Sequence, residues 1–114
     1  MTTGSDAIEH LGIVLETNDP ERAWNAFRLG ITALDDGHEV SVFLLGAGVE
    51  TEQIRDEEFP VRDRMEAFEA AGGELLACGT CLEMRQEENE VCPISTMSDL
   101  LEVVTTADRV LTIG

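Results

Sequence analysis

Five short, almost wholly apolar runs alternate along this chain with longer segments of helical periodicity. An apolar run without a polar alternation belongs to a strand buried on both faces. Strands of that kind, separated by helices and joined by short connections, form a mostly parallel sheet with right-handed crossovers and helices on both sides. The pattern therefore predicts an α/β fold, a three-layer sandwich around a mostly parallel five-stranded sheet. It also predicts a single domain, residues 8–114, after a disordered N-terminal segment, 1–7.

The individual elements carry recognisable punctuation. Glu9 to Glu16 reads as the first strand. Asn18-Asp-Pro-Glu-Arg22 then supplies an Asp N-cap, a Pro at the first helical position and a Glu in the first turn. Trp24, Phe27, Ile31 and Leu34 form one helical stripe, which Gly37 closes as a left-handed cap. Val40 to Leu45 is the second strand and runs into the turn Gly46-Ala-Gly48-Val49. Glu50 to Glu58 reads as an exposed loop or short helical turn. Pro60 opens a helix that turns Val61, Met65, Phe68 and Ala71 inward. Glu74 to Ala77 leads into a third strand, followed by a short helix to about Glu87. Val91 to Ile94 is a short extended piece, and Ser95 to Asp99 resembles a capping box. Leu100, Leu101, Val103 and Val104 form the apolar face of the last helix, and Arg109 to Ile113 is the closing strand.

Charge narrows the function. The chain has 24 acidic residues against 7 basic ones, a formal net charge of -17. Every basic residue is Arg; there is no Lys. Self-repulsion on this scale weakens a compact state in dilute buffer and is relieved by salt. An acidic surface without Lys thus points to a halophilic, salt-rich cytoplasm; an ordinary acidic protein, or one that docks on a basic partner, is the alternative. No nucleic acid is expected as a partner, because phosphate contacts need Lys and Arg and base stacking needs aromatics. Met1 to Asp6 is polar and lacks the basic start of a signal peptide, and no apolar run is long enough to cross a bilayer, so no membrane role and a cytoplasmic location are expected.

Three cysteines in such a chain point to reactive thiols or small buried residues rather than a disulfide framework. Cys78-Gly-Thr-Cys81 stands where the third strand ends and a helix begins. Unpaired backbone N–H groups there favour an anion and raise the thiolate fraction that sulfur chemistry uses. Sites on parallel sheets gather at the carboxyl ends of strands. Gly46 and Gly48, Cys78 to Cys81 and Cys92 all fall on or near that edge. Cys78 and Cys81 are the candidate reacting thiols, Gly79 and Thr80 candidate backbone donors, and Gly46 and Gly48 a turn where backbone could approach a ligand. Arg85 is a candidate anion contact, and Cys92 a possible resolving thiol. Zinc would have to be completed by Cys92, His10 and His38 without a second Cys pair, so no metal and no cofactor are expected. Spacing alone leaves a dithiol oxidoreductase and a persulfide carrier equally open.

Glu74-Leu-Leu-Ala-Cys-Gly-Thr-Cys-Leu82, Ile94-Ser-Thr-Met-Ser-Asp-Leu-Leu101 and Ala107-Asp-Arg-Val110 resemble the DsrE/DsrF-like family. The likeness is greatest to the DsrE-like domain of YedF-type proteins, described as sulfurtransferase-like and linked to selenium metabolism. It extends through the opening strand, helix and Gly-rich turn to nearly the whole chain. It implies a DsrE/YchN-like five-stranded parallel sheet and assembly into homo- or hetero-oligomers, often trimers or hexamers. It further implies a sulfur relay in which Cys78, as the strand-end cysteine, accepts persulfide sulfur, with Arg85 where relatives also place an Arg. A TusA-like protein or a cysteine desulfurase would be the sulfur donor or acceptor. YedF-type proteins carry an additional N-terminal TusA-like domain that this sequence does not show. A thiol-disulfide oxidoreductase using Cys78 and Cys81, and a non-catalytic oligomeric binding module, are the other functional classes.

Overall fold

The computed structural model describes residues 7–114, so all but Ala7 of the segment expected to be disordered lies outside the described residues. The elements are β1 (His10–Leu15), α1 (Pro20–Asp35), β2 (Glu39–Leu44), a 3-10 helix (Gly46–Gln53), α2 (Val61–Ala70), β3 (Glu74–Cys78), α3 (Gly79–Met84), β4 (Ile94–Ser95), α4 (Met97–Thr106) and β5 (Arg109–Ile113). The five strands are all parallel, in the order β4-β3-β2-β1-β5.

That order decides which helix lies where. From β1 to β4 the chain steps across the sheet in one direction, and right-handed crossovers keep α1 and α2 on one face. The return from β4 to the far side of β1 runs the other way, so α4 crosses the opposite face. Packing agrees with this division. A Cβ on Gly30 of α1 would lie 2.7 Å from the Phe68 ring of α2, so the ring packs against the helix backbone where Gly30 has no side chain. On the other face, a Cβ on Gly12 of β1 would meet Val103 at 3.1 Å and Ala107 at 3.3 Å. Ile13, Leu15, Val42, Leu44, Phe27, Met65 and Phe68 form the sealed core beneath α1 and α2. Burying each such side chain contributes about 1.5–3 kcal/mol before chain entropy is counted.

The expected helix signals hold locally. Asp19 caps α1 by accepting from the Arg22 N–H at 2.9 Å, with Pro20 opening the helix. Gly37 takes a positive φ of 93° just past its end. Thr96 and Asp99 complete a reciprocal capping box on α4.

Elsewhere tertiary context changes the outcome. The stretch beginning at Glu50 is not wholly a solvated loop: Gly46–Gln53 coils into a 3-10 helix whose Val49, Thr51 and Glu52 are fully buried, while Asp56, Glu57 and Glu58 lie beyond it. Ala71 is exposed, because α2 has already ended at Ala70. The short helix stops at Met84 instead of near Glu87, and Gln86 turns it with a positive φ of 52°. On α4 only Val103 is buried; Leu101 is 63% exposed and Val104 42%. Both faces of β5 are largely open, since it is an edge strand and α4 alone covers its side of the sheet.

Candidate functional site

A crevice forms in a parallel sheet where neighbouring strands send their following helices to opposite faces. Here that point lies between β3 and β4. α3 leaves β3 and packs beside the 3-10 helix on the α1/α2 side, whereas β4 feeds α4 on the other side. The two carboxyl ends, paired through Cys78 and Ser95, diverge around an open groove of about 470 Å³. Cys78, Gly79, Thr80 and Cys81 form one wall and Ile94 to Met97 the other, with Glu83 at the rim.

Cys78 is the last residue of β3 and the N-cap of α3, in extended conformation (φ -62°, ψ 115°). Its residue surface is only 3% exposed, and that position borders the groove. No side chain caps the first turn of α3, which leaves the N–H groups there unclaimed by a capping side chain. Gly79 lets the helix start tight against β4: a Cβ at that position would lie 2.9 Å from the Ile94 side chain.

Cys81 is half-buried one turn further on and lines the same groove as Cys78. The Gly46 N–H donates to the Cys81 Sγ at 3.3 Å, using the positive φ of 55° that turns the chain after β2. Burial pushes the Cys81 thiol above its ordinary range and the neighbouring Cys78 adds to this; the Gly46 amide and the Arg85 charge oppose it. Cys81 thus holds its proton more tightly than a free thiol, opposite to the direction that unpaired amides alone would impose.

The remaining expected residues separate. Arg85 lies outside the groove lining: its Nε donates to Glu50 Oε2 at 2.8 Å, which ties α3 to the 3-10 helix. Gly48 is packed against β1, where a Cβ would come within 1.9 Å of the Leu15 carbonyl oxygen. Its small size serves chain approach, not ligand approach. Cys92 lies away from Cys78: it is 3% exposed and its Sγ rests 3.5 Å from Met65 Sδ of α2. His10 and His38 sit at the amino end of the strands, opposite the thiols. His10 Nε2 contacts Ser41 Oγ at 2.8 Å, and Ser41 donates to Glu74 at 2.7 Å. Among the described residues no group of three His, Cys, Asp or Glu side chains is arranged to hold a metal ion.

The residue that sequence reading missed is Glu52. It is fully buried and accepts backbone N–H groups from Glu90, from Val91 at 2.9 Å and from Cys92 at 3.2 Å. Gln53 adds a bond to the Glu88 carbonyl at 2.7 Å. Together they fasten the segment that delivers β4, and hence the second wall of the groove. Nothing in the sequence marks Glu52, since one carboxylate among 24 acidic residues in a polar stretch looks like any other.

Burial, reinforced by the nearby Glu52 and Glu69 charges, pushes the Cys92 thiol far above its ordinary value. In the unfolded chain that thiol ionises near about pH 8.5, so above it the unfolded state sheds a proton that the native state keeps. Stability from this group is complete below that pH and falls by about 1.4 kcal/mol per unit above it. With no Lys or Tyr in the chain, the thiols are the only side chains to titrate there. Urea midpoints should drop from about pH 8.5 to 10.5 in wild type and less steeply in Cys92→Ala; equal slopes would assign the loss elsewhere.

The sequence description of the DsrE/DsrF-like family matches residues 10–113. The chain belongs to the DsrE/DsrF-like family. That family is associated with sulfur relay between partner proteins. Two archaeal relatives are also similar over most of the chain. An uncharacterized protein of Methanocaldococcus jannaschii is 35% identical over 99 residues, covering 81% of this chain and 87% of the relative. Another, of Methanopyrus kandleri, is 37% identical over 98 residues, covering 80% and 81%. The family match spans every strand, so the groove between β3 and β4 is built within the DsrE/DsrF-like domain itself. Among the described residues, no helix is long and apolar enough to cross a membrane.

Proposed function

We propose that this member of the family is a cytoplasmic sulfur carrier that accepts persulfide sulfur on Cys78. The observation that carries the reading is the position of Cys78 at the mouth of β3, bordering the open groove beside uncapped amides. In the transfer, the Cys78 thiolate attacks the outer sulfur of a donor persulfide. The donor's S–S bond breaks, its electron pair stays on the donor thiolate, and a new S–S bond leaves Cys78 as the persulfide. Gly79 and Thr80 would turn backbone N–H groups toward the charged sulfur, and Glu83 at the rim keeps the approach polar.

The donor or acceptor would be a TusA-like protein or a cysteine desulfurase. The net charge of -17 favours a partner with a basic contact surface, because Arg62, Arg85 and Arg109 are already paired with carboxylates. Leu101 and Val104 on α4, and Val110 and Leu111 on the two faces of β5, are exposed and support assembly into a homo-oligomer, a trimer or hexamer by family likeness. A second reading, a thiol-disulfide oxidoreductase, draws on Cys78 and Cys81 lining the same groove three residues apart.

Incubating the purified chain with a cysteine desulfurase and cysteine, then recording intact mass, tests the carrier. Wild type should gain one sulfur atom per chain and Cys78→Ser none. Equal gain in both would remove Cys78 from the reaction, and no gain in either would end the carrier reading.

A further inference from the structure

The carrier reading gives Cys81 no part in accepting sulfur, yet Cys81 lines the same groove as Cys78. Residues three apart at a helix start share one side of the turn, and here the Gly46 N–H holds the second sulfur in place at 3.3 Å. Resting on the carrier reading, we propose a second activity for this site: Cys81 discharges the Cys78 persulfide as hydrogen sulfide, leaving a Cys78–Cys81 disulfide.

The step balances within the chain. Once Cys78 carries the extra sulfur, Cys81 lies beside an S–S bond and attacks its inner atom, the Cys78 Sγ. The new bond joins the two cysteine sulfurs. The bond to the outer sulfur breaks, and that sulfur leaves with the electron pair as hydrosulfide, taking up the proton that Cys81 gave to solvent. The sulfane sulfur is reduced to sulfide and the two cysteines are oxidised to the disulfide, so no outside oxidant is required. A dithiol reductant returns the pair to the starting state. Sulfur on Cys78 therefore has two exits: transfer to a partner thiol, or release as sulfide when no partner takes it.

The groups around Cys81 set the pace. They are Cys78 from β3, the Gly46 amide from the 3-10 helix, and Arg85 just past the end of α3, itself held by Glu50. With the thiol held above its ordinary range by burial and by Cys78, little thiolate is present at neutral pH. Discharge is accordingly slow there and speeds up as pH rises.

The test loads the full chain with a desulfurase, removes donor and reductant, and follows intact mass and released sulfide with time. Wild type should release one sulfide per sulfur lost and finish lighter than the reduced chain by two hydrogens. Cys81→Ser, and Cys81→Ala as a second variant checked by circular dichroism, should keep the persulfide at least about tenfold longer and release no matching sulfide. Equal lifetimes in wild type and variants, or sulfur loss from wild type without the disulfide, overturn the discharge while leaving the carrier standing. If wild type and Cys81→Ser never load at all, both ideas fall together. Should neither variant fold, the disulfide-to-sulfide ratio in wild type still decides.

Discussion

Glu52→Ala should cost the fold about 3 kcal/mol or more and loosen one wall of the thiol groove at the same time. Its fully buried carboxylate takes three consecutive backbone N–H groups, those of Glu90, Val91 and Cys92, of which the last is itself buried and the others partly so. Alanine removes the acceptor and leaves those donors without a partner, at about 1–3 kcal/mol for each that stays buried. Against a typical total of about 5–15 kcal/mol that is a large fraction. The loss falls on the connection leading into β4, so amide exchange should rise first between residues 88 and 95. Glu52→Gln, which keeps a carbonyl oxygen, should lose markedly less. Chemical denaturation of the two variants against wild type makes the comparison, and equal, small losses would mean the carboxylate is incidental.

Gly48→Ala should be comparably severe for a different reason. The added Cβ would sit 1.9 Å from the carbonyl oxygen of Leu15 and 2.8 Å from its carbonyl carbon. Both atoms are backbone at the end of a central strand, so no rotamer change relieves the clash. Either the 3-10 helix or the end of β1 must shift, and Leu15 is itself fully buried. Overpacking a core costs about 1–3 kcal/mol and occasionally more; a clash with backbone belongs at the upper end of that range. Gly46→Ala provides the contrast. Its nearest neighbour would be the Glu16 side chain at 3.4 Å, so the strain there comes from its positive φ and not from crowding. Thermal melts that put Gly48→Ala within a degree of wild type would refute the close approach of these segments.

Part of the candidate groove is legible in the sequence. Cys78 and Cys81 were legible because a strand run stops at one and a helix begins before the other, which is local information. Arg85, Gly48 and Cys92 looked equally eligible by position along the chain. They separated only in three dimensions: Arg85 is taken by Glu50, Gly48 lies on β1, and Cys92 turns toward Met65. The partner of each is 27 or more residues distant in the chain. Local patterns of capping and periodicity carry nothing about such pairings.

Sequence by itself determined the number and order of strands and helices, the caps of α1 and α4, the position of the thiol pair at a strand end, and the family. These depend on residues within a turn or two of one another, where backbone preference and apolar periodicity act. The tertiary structure alone decided that β3 and β4 are the strands whose helices part to opposite faces, and so where the groove opens. It also decided that one carboxylate would be buried to anchor that groove, and that α4 and β5 would keep apolar side chains exposed. Those outcomes follow from strand order and from which surfaces meet, and they exist only once distant segments are brought together.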